Sequence, residues 1–94
     1  MSSAEYAFPV DKLPLLYPAI AEVLREARLT AGLSQHQLAD FAGLSRSYIS
    51  FVECGERGVS VTALHQIGQA VGVPGSELFR RIEQKITEQQ KKQP

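Results

Sequence analysis

The chain has 94 residues, of which 44% are hydrophobic, and its acidic and basic side chains balance to a formal net charge of zero. This length suits one small domain, and we expect no separate ligand-sensing domain. One cysteine excludes an internal disulfide, and without a membrane-length apolar run or a secretory signal pattern we expect a cytoplasmic protein.

The N-terminal segment, residues 1–18, contains Pro9, Pro14 and Pro18. Proline lacks a backbone donor, and its ring clashes with the preceding turn inside a helix. We therefore predict an extended or irregular N-terminal arm over 1–18. Its scattered apolar residues indicate that part of the arm packs on the core or on a second subunit.

The first helix is predicted over 19–31, because apolar residues recur there at helical spacing. These residues are Ile20, Val23, Leu24, Ala27 and Ala31. Gly32 is placed to end this helix in the left-handed conformation. Ser34 and Gln37 then form a capping-box pattern at the start of a second helix, predicted over 35–42.

A sharp turn and a third helix follow. Gly43 suits a reversal of the chain, and the small Ala39 suits a close crossing of two helices. The third helix is predicted over 46–54, with Ser45 as its cap.

The last two helices are predicted from Ser60 to Gly72 and over 75–88. Residues 89–94, rich in Gln and Lys, are predicted to fray. No segment has the alternating pattern of a strand. The fold class is therefore all-α, with a five-helix domain over 19–88.

The third helix has two opposed faces. On a helical wheel its apolar residues gather on one side, which leaves the other side with Arg46, Ser47, Ser50 and Phe51. Arginine can pair with guanine in the major groove, and serine can donate to or accept from base edges. We therefore predict that Arg46, Ser47 and Ser50 read DNA bases. Phe51 either contacts a thymine methyl or packs on the arm.

Residues at fixed offsets across the second and third helices carry a family resemblance. They are Gln35, Leu38, Ala39, Gly43, Leu44, Ile49, Val52 and Glu53. With them, residues 20–79 resemble the lambda-repressor-like, or XRE, helix-turn-helix family. The string "SRSYIS" is similar to the recognition helix of restriction–modification controller proteins. The resemblance implies a five-helix DNA-binding domain whose third helix enters the major groove of double-stranded DNA.

Contacts to the DNA backbone are expected from Gln35, Ser45, Tyr48 and Arg57. Gln35 begins the second helix, where free backbone N–H groups attract phosphate, and the resemblance implies the same contact. The Tyr48 ring belongs to the packed face of the third helix. Its hydroxyl either contacts a phosphate or the edge of the groove, or the residue has a role in the core alone. Arg57 adds positive charge nearby.

The resemblance also implies an ion pair between Arg28 of the first helix and Glu53 of the third, which would fix the orientation of the reading helix. Cys54 ends the third helix. An inert role is the simpler interpretation of Cys54, and a redox switch is the alternative. His36 and His65 lack partners at metal-ligand spacing, so neither a metal nor another cofactor is expected.

A single reading helix contacts few bases, so we expect a homodimer. Phe79, Ile82 and Ile86 of the fifth helix extend beyond a minimal core and are the predicted dimer contacts. The alternative is that Leu78, Phe79 and Ile82 only complete the monomer core, which leaves Ile86 without an explanation. The predicted function is a dimeric repressor or controller-type autoregulator that reads a palindromic operator. The alternative is a protein-interaction module on the same fold, such as an antitoxin or adaptor. No constellation of catalytic residues predicts an enzyme.

Overall fold

The computed structural model describes residues 13–92, which form five α-helices. These are α1 (Leu13–Thr30), α2 (Gln35–Ala42), α3 (Arg46–Glu53), α4 (Val61–Val71) and α5 (Gly75–Lys92). No strand occurs in the part of the chain that is described. The predicted all-α, five-helix architecture is confirmed.

Serine side chains start the three central helices. Each hydroxyl oxygen accepts a hydrogen bond from the backbone N–H three residues on, which would otherwise lack a partner in the helix. The capped pairs are Ser34 with Gln37 at 3.0 Å, Ser45 with Tyr48 at 3.1 Å, and Ser60 with Ala63 at 3.0 Å. The predicted capping box is complete, because the Ser34 N–H donates to Oε1 of Gln37 at 2.9 Å.

The turn between α2 and α3 depends on Gly43. Its φ of 70° lies in the left-handed region, where a side chain would be strained. The N–H of Leu44 then donates back to the carbonyl of Ala39 at 2.9 Å. This closed turn sends α3 across α2 with its apolar side inward.

One apolar core joins the five helices. α1 packs against α3 and α5, and α4 packs against α2 and α5. The most deeply buried side chains are Leu24, Leu38, Ile49, Val52, Ile67, Leu78 and Ile82. Since Ile49 and Val52 hold α3 against this core, the opposite side of α3 is left at the surface.

The first helix begins six residues earlier than predicted. α1 starts at Leu13 and includes Pro18, so the predicted arm over 1–18 is wrong for its last six residues. Pro14 lies in the first turn, where a backbone N–H would have no helical partner. Pro18 lies inside the helix, where it removes one hydrogen bond and its ring crowds the preceding turn. Residues 1–12 of the predicted arm lie outside the described residues.

Packing holds this additional part of α1 in place. Leu16 contacts the core, and the Tyr17 ring lies against the loop between α3 and α4. A Cβ atom added at Gly58 would be 2.9 Å from a ring carbon of Tyr17, so the two residues fit because Gly58 has no side chain. Tertiary contacts thus override the local preference of the prolines.

The last helix is longer than predicted. α5 continues to Lys92, so residues 89–92 are helical rather than frayed. Gln, Lys and Glu are good helix formers, and Lys91 and Lys92 in the last turn interact favourably with the helix dipole. α3 ends one residue early, at Glu53, with Cys54 as its C-cap.

Candidate nucleic-acid interface

The outer side of α3 forms one wall of a shallow groove. The groove has a volume of about 310 Å³ and is lined by Gln35, Arg46, Ser47, Ser50 and Phe51. The structure thus brings together the three predicted base-reading residues, with the first residue of α2 beside them. Donors, acceptors and one aromatic ring all face the same space.

Arg46 and Arg57 supply the positive charge at this groove. Neither guanidinium forms an ion pair with any residue between 13 and 92. The guanidinium carbon of Arg57 lies 5.4 Å from the centre of the Phe51 ring, which is within cation–π distance. Both charges are therefore available to an anionic partner.

Three basic side chains of α5 are instead engaged in ion pairs. Arg80 and Arg81 donate to the carboxylate of Glu77 at 2.7 and 2.9 Å. These hydrogen bonds, that from Arg80 first, lower the pKa of Glu77 to about 2. Lys85 donates to Glu22 of α1 at 2.8 Å, which raises the pKa of Lys85 and lowers that of Glu22. None of these paired side chains lines the groove on the outer side of α3.

A buried carboxylate fixes the position of α3. Arg28 Nε and Nη2 donate to the two oxygens of Glu53 at 2.7 and 2.9 Å, and Nη1 donates to the Leu33 carbonyl at 2.8 Å. The Glu53 side chain is only 4% exposed and that of Arg28 11%. Gln35 Nε2 adds a third donor to Glu53 at 3.2 Å. Residues from three helices therefore meet at the end of α3.

Three of the predicted backbone contacts also have structural roles. The side-chain amide of Gln35 is engaged with Glu53, whereas its backbone N–H is at the first position of α2. Ser45 caps α3. The hydroxyl oxygen of Tyr48 accepts from the Ser60 N–H at 3.2 Å, which links α3 to the start of α4. Neither hydroxyl uses its own hydrogen in these bonds, so Ser45 and Tyr48 can still donate to a phosphate.

The predicted dimer contacts differ in their accessibility. Ile82 is 1% exposed and fills the core of the monomer, so it cannot contact a second copy and its prediction is wrong. Ile86 is partly buried against the same core. Phe79 is 50% exposed and borders an apolar groove of about 760 Å³ between α4 and α5.

Sequence reasoning missed Val61, which lines the same groove and is 86% exposed. The signal was an apolar residue directly after the capping Ser60 and outside the buried stripe of α4. A side chain at this position is not packed in the monomer core. Together with Phe79, Val61 leaves the rim of the apolar groove exposed.

Within residues 13–92, no three His, Cys, Asp or Glu side chains come together as metal ligands. Cys54 is exposed and free. None of the described helices is long and apolar enough to cross a membrane.

Together, the capped helix pair, the tight glycine turn and the exposed face of α3 define a helix-turn-helix protein. Residues 19–80 match the helix-turn-helix domain family, and the chain belongs to this family. The resemblance read from residues 20–79 is confirmed.

Among its relatives is the control protein C.SmaI of Serratia marcescens, 39% identical over 62 residues, a match that covers 66% of this chain and 74% of C.SmaI. The restriction-modification controller protein C.AhdI from Aeromonas hydrophila is 40% identical, with a TM-score of 0.64 over 67% of this chain and 96% of C.AhdI. A third relative, C.Esp1396I, was solved bound to a 19 base pair DNA duplex. It is 28% identical, with a TM-score of 0.67 over 76% of this chain and 95% of that one.

Proposed function

We propose that this chain is a sequence-specific DNA-binding transcriptional regulator that inserts α3 into the major groove. The observation that carries the proposal is the placement of Arg46, Ser47 and Ser50 in one exposed groove on the outer side of α3. The DNA-bound structure of C.Esp1396I supports the choice of partner. The regulator would act in the cytoplasm as a repressor or controller-type autoregulator.

In this mechanism, one set of residues contacts the bases and another contacts the DNA backbone. Arg46 can form a paired hydrogen bond with guanine, and the two serines can read neighbouring base edges. The start of α2 at Gln35, the free hydrogen of the Tyr48 hydroxyl and the Arg57 guanidinium would contact phosphates. These backbone contacts position α3 but carry no sequence information.

The regulator is proposed to bind as a symmetric homodimer. Two copies would place their reading helices about 34 Å apart, one turn of DNA, and so read a palindrome. The apolar groove bordered by Phe79 and Val61 is the surface that best fits a second copy. Ile86 lies further along α5 and would contribute at the edge.

Selection from a random DNA library tests this function. The purified protein should enrich a palindromic sequence, and binding should weaken as salt concentration rises, because phosphate contacts release counterions. The Arg46→Ala variant, selected in parallel, should enrich a consensus that is degenerate at one position of each half-site. Failure to enrich any sequence at low salt would contradict the proposal.

A second candidate is a protein-interaction module, such as an antitoxin or adaptor. The exposed apolar side chains of Val61 and Phe79, together with the zero net charge, favour it. This candidate predicts that library selection yields no sequence, whereas a stable complex forms with a protein other than a second copy of the chain.

A further inference from the structure

Phe51 places a large apolar side chain on the otherwise polar outer face of α3. The residue is 43% exposed and lines the groove beside Arg46 and Ser47. Because it follows Ser47 by four residues, the two side chains are neighbours on one face of the helix. The Phe51 ring therefore extends the row of candidate base-reading side chains by one helical turn.

Arg57 restrains this ring. Its guanidinium carbon lies 5.4 Å from the ring centre and covers one face of the ring with a cation. The remainder of the ring is accessible in the groove. Since the contact with Arg57 is already formed, a ligand that meets the ring has less side-chain freedom to remove.

The chemistry of the ring limits what it can recognise. A phenyl group has no hydrogen-bonding atom, so it cannot read the donors and acceptors on a base edge. The apolar feature of the major groove is the C5-methyl group of thymine. A methylated cytosine carries the same group at the same ring carbon. We propose that Phe51 determines specificity by contacting the C5-methyl group of a pyrimidine in the major groove.

This inference rests on the proposed DNA-reading function. A protein partner is less consistent with the groove, because the other residues that line it are all polar or charged: Gln35, Arg46, Ser47 and Ser50. A protein interface centred on Phe51 would need apolar neighbours at its core. In the major groove, a pyrimidine methyl group lies among polar base edges. This arrangement matches a groove in which one aromatic ring lies among polar side chains.

The test is a methyl scan of the selected binding site. Each thymine of the enriched palindrome is replaced in turn by deoxyuridine, which removes only the C5-methyl group, and affinity is measured by titration. At one position in each half-site, removal should weaken binding by the wild-type protein about fourfold, the equivalent of one buried methyl group. The Phe51→Ala variant should bind both DNAs equally.

Phe41→Ala is the matched control, because Phe41 is an exposed aromatic of α2 that does not line the groove. This variant should retain the wild-type sensitivity to methyl removal. A further arm replaces the sensitive thymine by cytosine or 5-methylcytosine. If the methyl group itself is recognised, the methylated base should bind more tightly than the unmethylated one in the wild type but not in Phe51→Ala.

The outcomes separate this inference from the function on which it rests. An enriched palindrome with no methyl-sensitive thymine overturns the role of Phe51 and leaves DNA reading intact. Equal sensitivity in the wild type and Phe51→Ala also overturns it. If no sequence is enriched and Phe51→Ala instead abolishes a protein complex, both proposals fail. If Phe51→Ala folds poorly, which circular dichroism would detect, a wild-type scan with no methyl-sensitive thymine would still overturn the inference, and Phe51→Leu would replace Phe51→Ala in the comparison.

Discussion

At the scale of single residues, the outer and inner sides of α3 have different tasks. Arg46, Ser47 and Ser50 face the groove on the outer side of α3. Glu53, on the inner side, is bound by Arg28 and Gln35. Substitutions on the outer side should therefore change DNA binding, whereas substitutions on the inner side should change folding.

Arg46→Ala tests the outer side. We expect a loss of about 1–3 kcal/mol in binding to the selected operator and relaxed preference at one base position. Thermal stability should be unchanged, because the side chain is exposed. Arg25→Ala, at an exposed position of α1, is the control for loss of a positive charge and should cost much less. Uniform weakening on every DNA sequence would show that Arg46 contacts phosphate instead.

Glu53→Gln tests the inner side. The substitution keeps the size of the side chain but leaves the buried Arg28 guanidinium without its counter-charge. Breaking a buried pair in this way should lower the free energy of unfolding by about 3–5 kcal/mol, measured by urea denaturation. Glu56→Gln, at an exposed position three residues on, should have little effect. Equal losses in the two variants would disprove the special role of Glu53.

At the scale of elements, the helix starts were predictable because their causes are local. Ser34, Ser45 and Ser60 each accept from a backbone N–H three residues on, so four residues of sequence suffice to recognise each cap. The start of α1 was not predictable in this way. It depends on the contact of Tyr17 with Gly58, which are far apart in the chain.

The same distinction between local and long-range causes applies within the candidate site. The helical period of α3 was enough to separate the reading face from the core. The bond from Gln35 to Glu53 joins residues 18 positions apart, and no periodicity predicts it. Likewise, spacing alone could not show that Ile82 faces the core while Phe79 faces outward, since that depends on how α5 docks on α1 and α4.

Gly43→Ala tests the turn that joins α2 to α3. Alanine must adopt the left-handed conformation there, which should cost about 1–2 kcal/mol of folding free energy. Gly75→Ala is the matched control, because Gly75 begins α5 and an added Cβ would make only ordinary contacts, the nearest at 3.5 Å. That variant should be as stable as the wild type or slightly more so. Chemical denaturation compares the two directly.

Acid should weaken the start of α5 through Glu77. Its pKa in the folded protein is lowered from 4.5 to about 2, so its contribution is fully present above the ordinary value and is lost as pH falls towards 2. The stability difference between the wild type and Glu77→Gln should therefore shrink over this acid range. The ion pairs of Glu77 with Arg80 and Arg81 lie at the surface, so this stability difference should be small and should decrease as salt concentration rises.

At the scale of the whole molecule, charge pairing accounts for a neutral DNA-binding domain. Arg80 and Arg81 pair with Glu77, and Lys85 pairs with Glu22 and Glu26, all outside the groove lining. Within residues 13–92, Arg46 and Arg57 form no ion pair, and both lie beside the groove. Two such charges per copy supply modest non-specific affinity. Tight binding would then depend on base contacts and on two copies acting together.

Phe79→Glu tests whether tight DNA binding depends on two copies acting together. A charge at the apolar groove between α4 and α5 should shift the protein towards monomer in sedimentation experiments. Affinity for the complete palindrome should fall by at least tenfold, whereas affinity for an isolated half-site should not change. Phe41→Glu, at an exposed aromatic of α2, is the control and should leave the assembly intact. Unaltered assembly in Phe79→Glu would move the dimer interface elsewhere.

The buried carboxylate of Glu53 has a consequence for how this protein can evolve. The carboxylate holds one end of α3 from inside, and Ser45 caps the other end. The side chains at positions 46, 47 and 50 can therefore change without disturbing the contacts that hold α3 in place. A new operator preference would then require exchange of these side chains alone, with the rest of the fold unchanged.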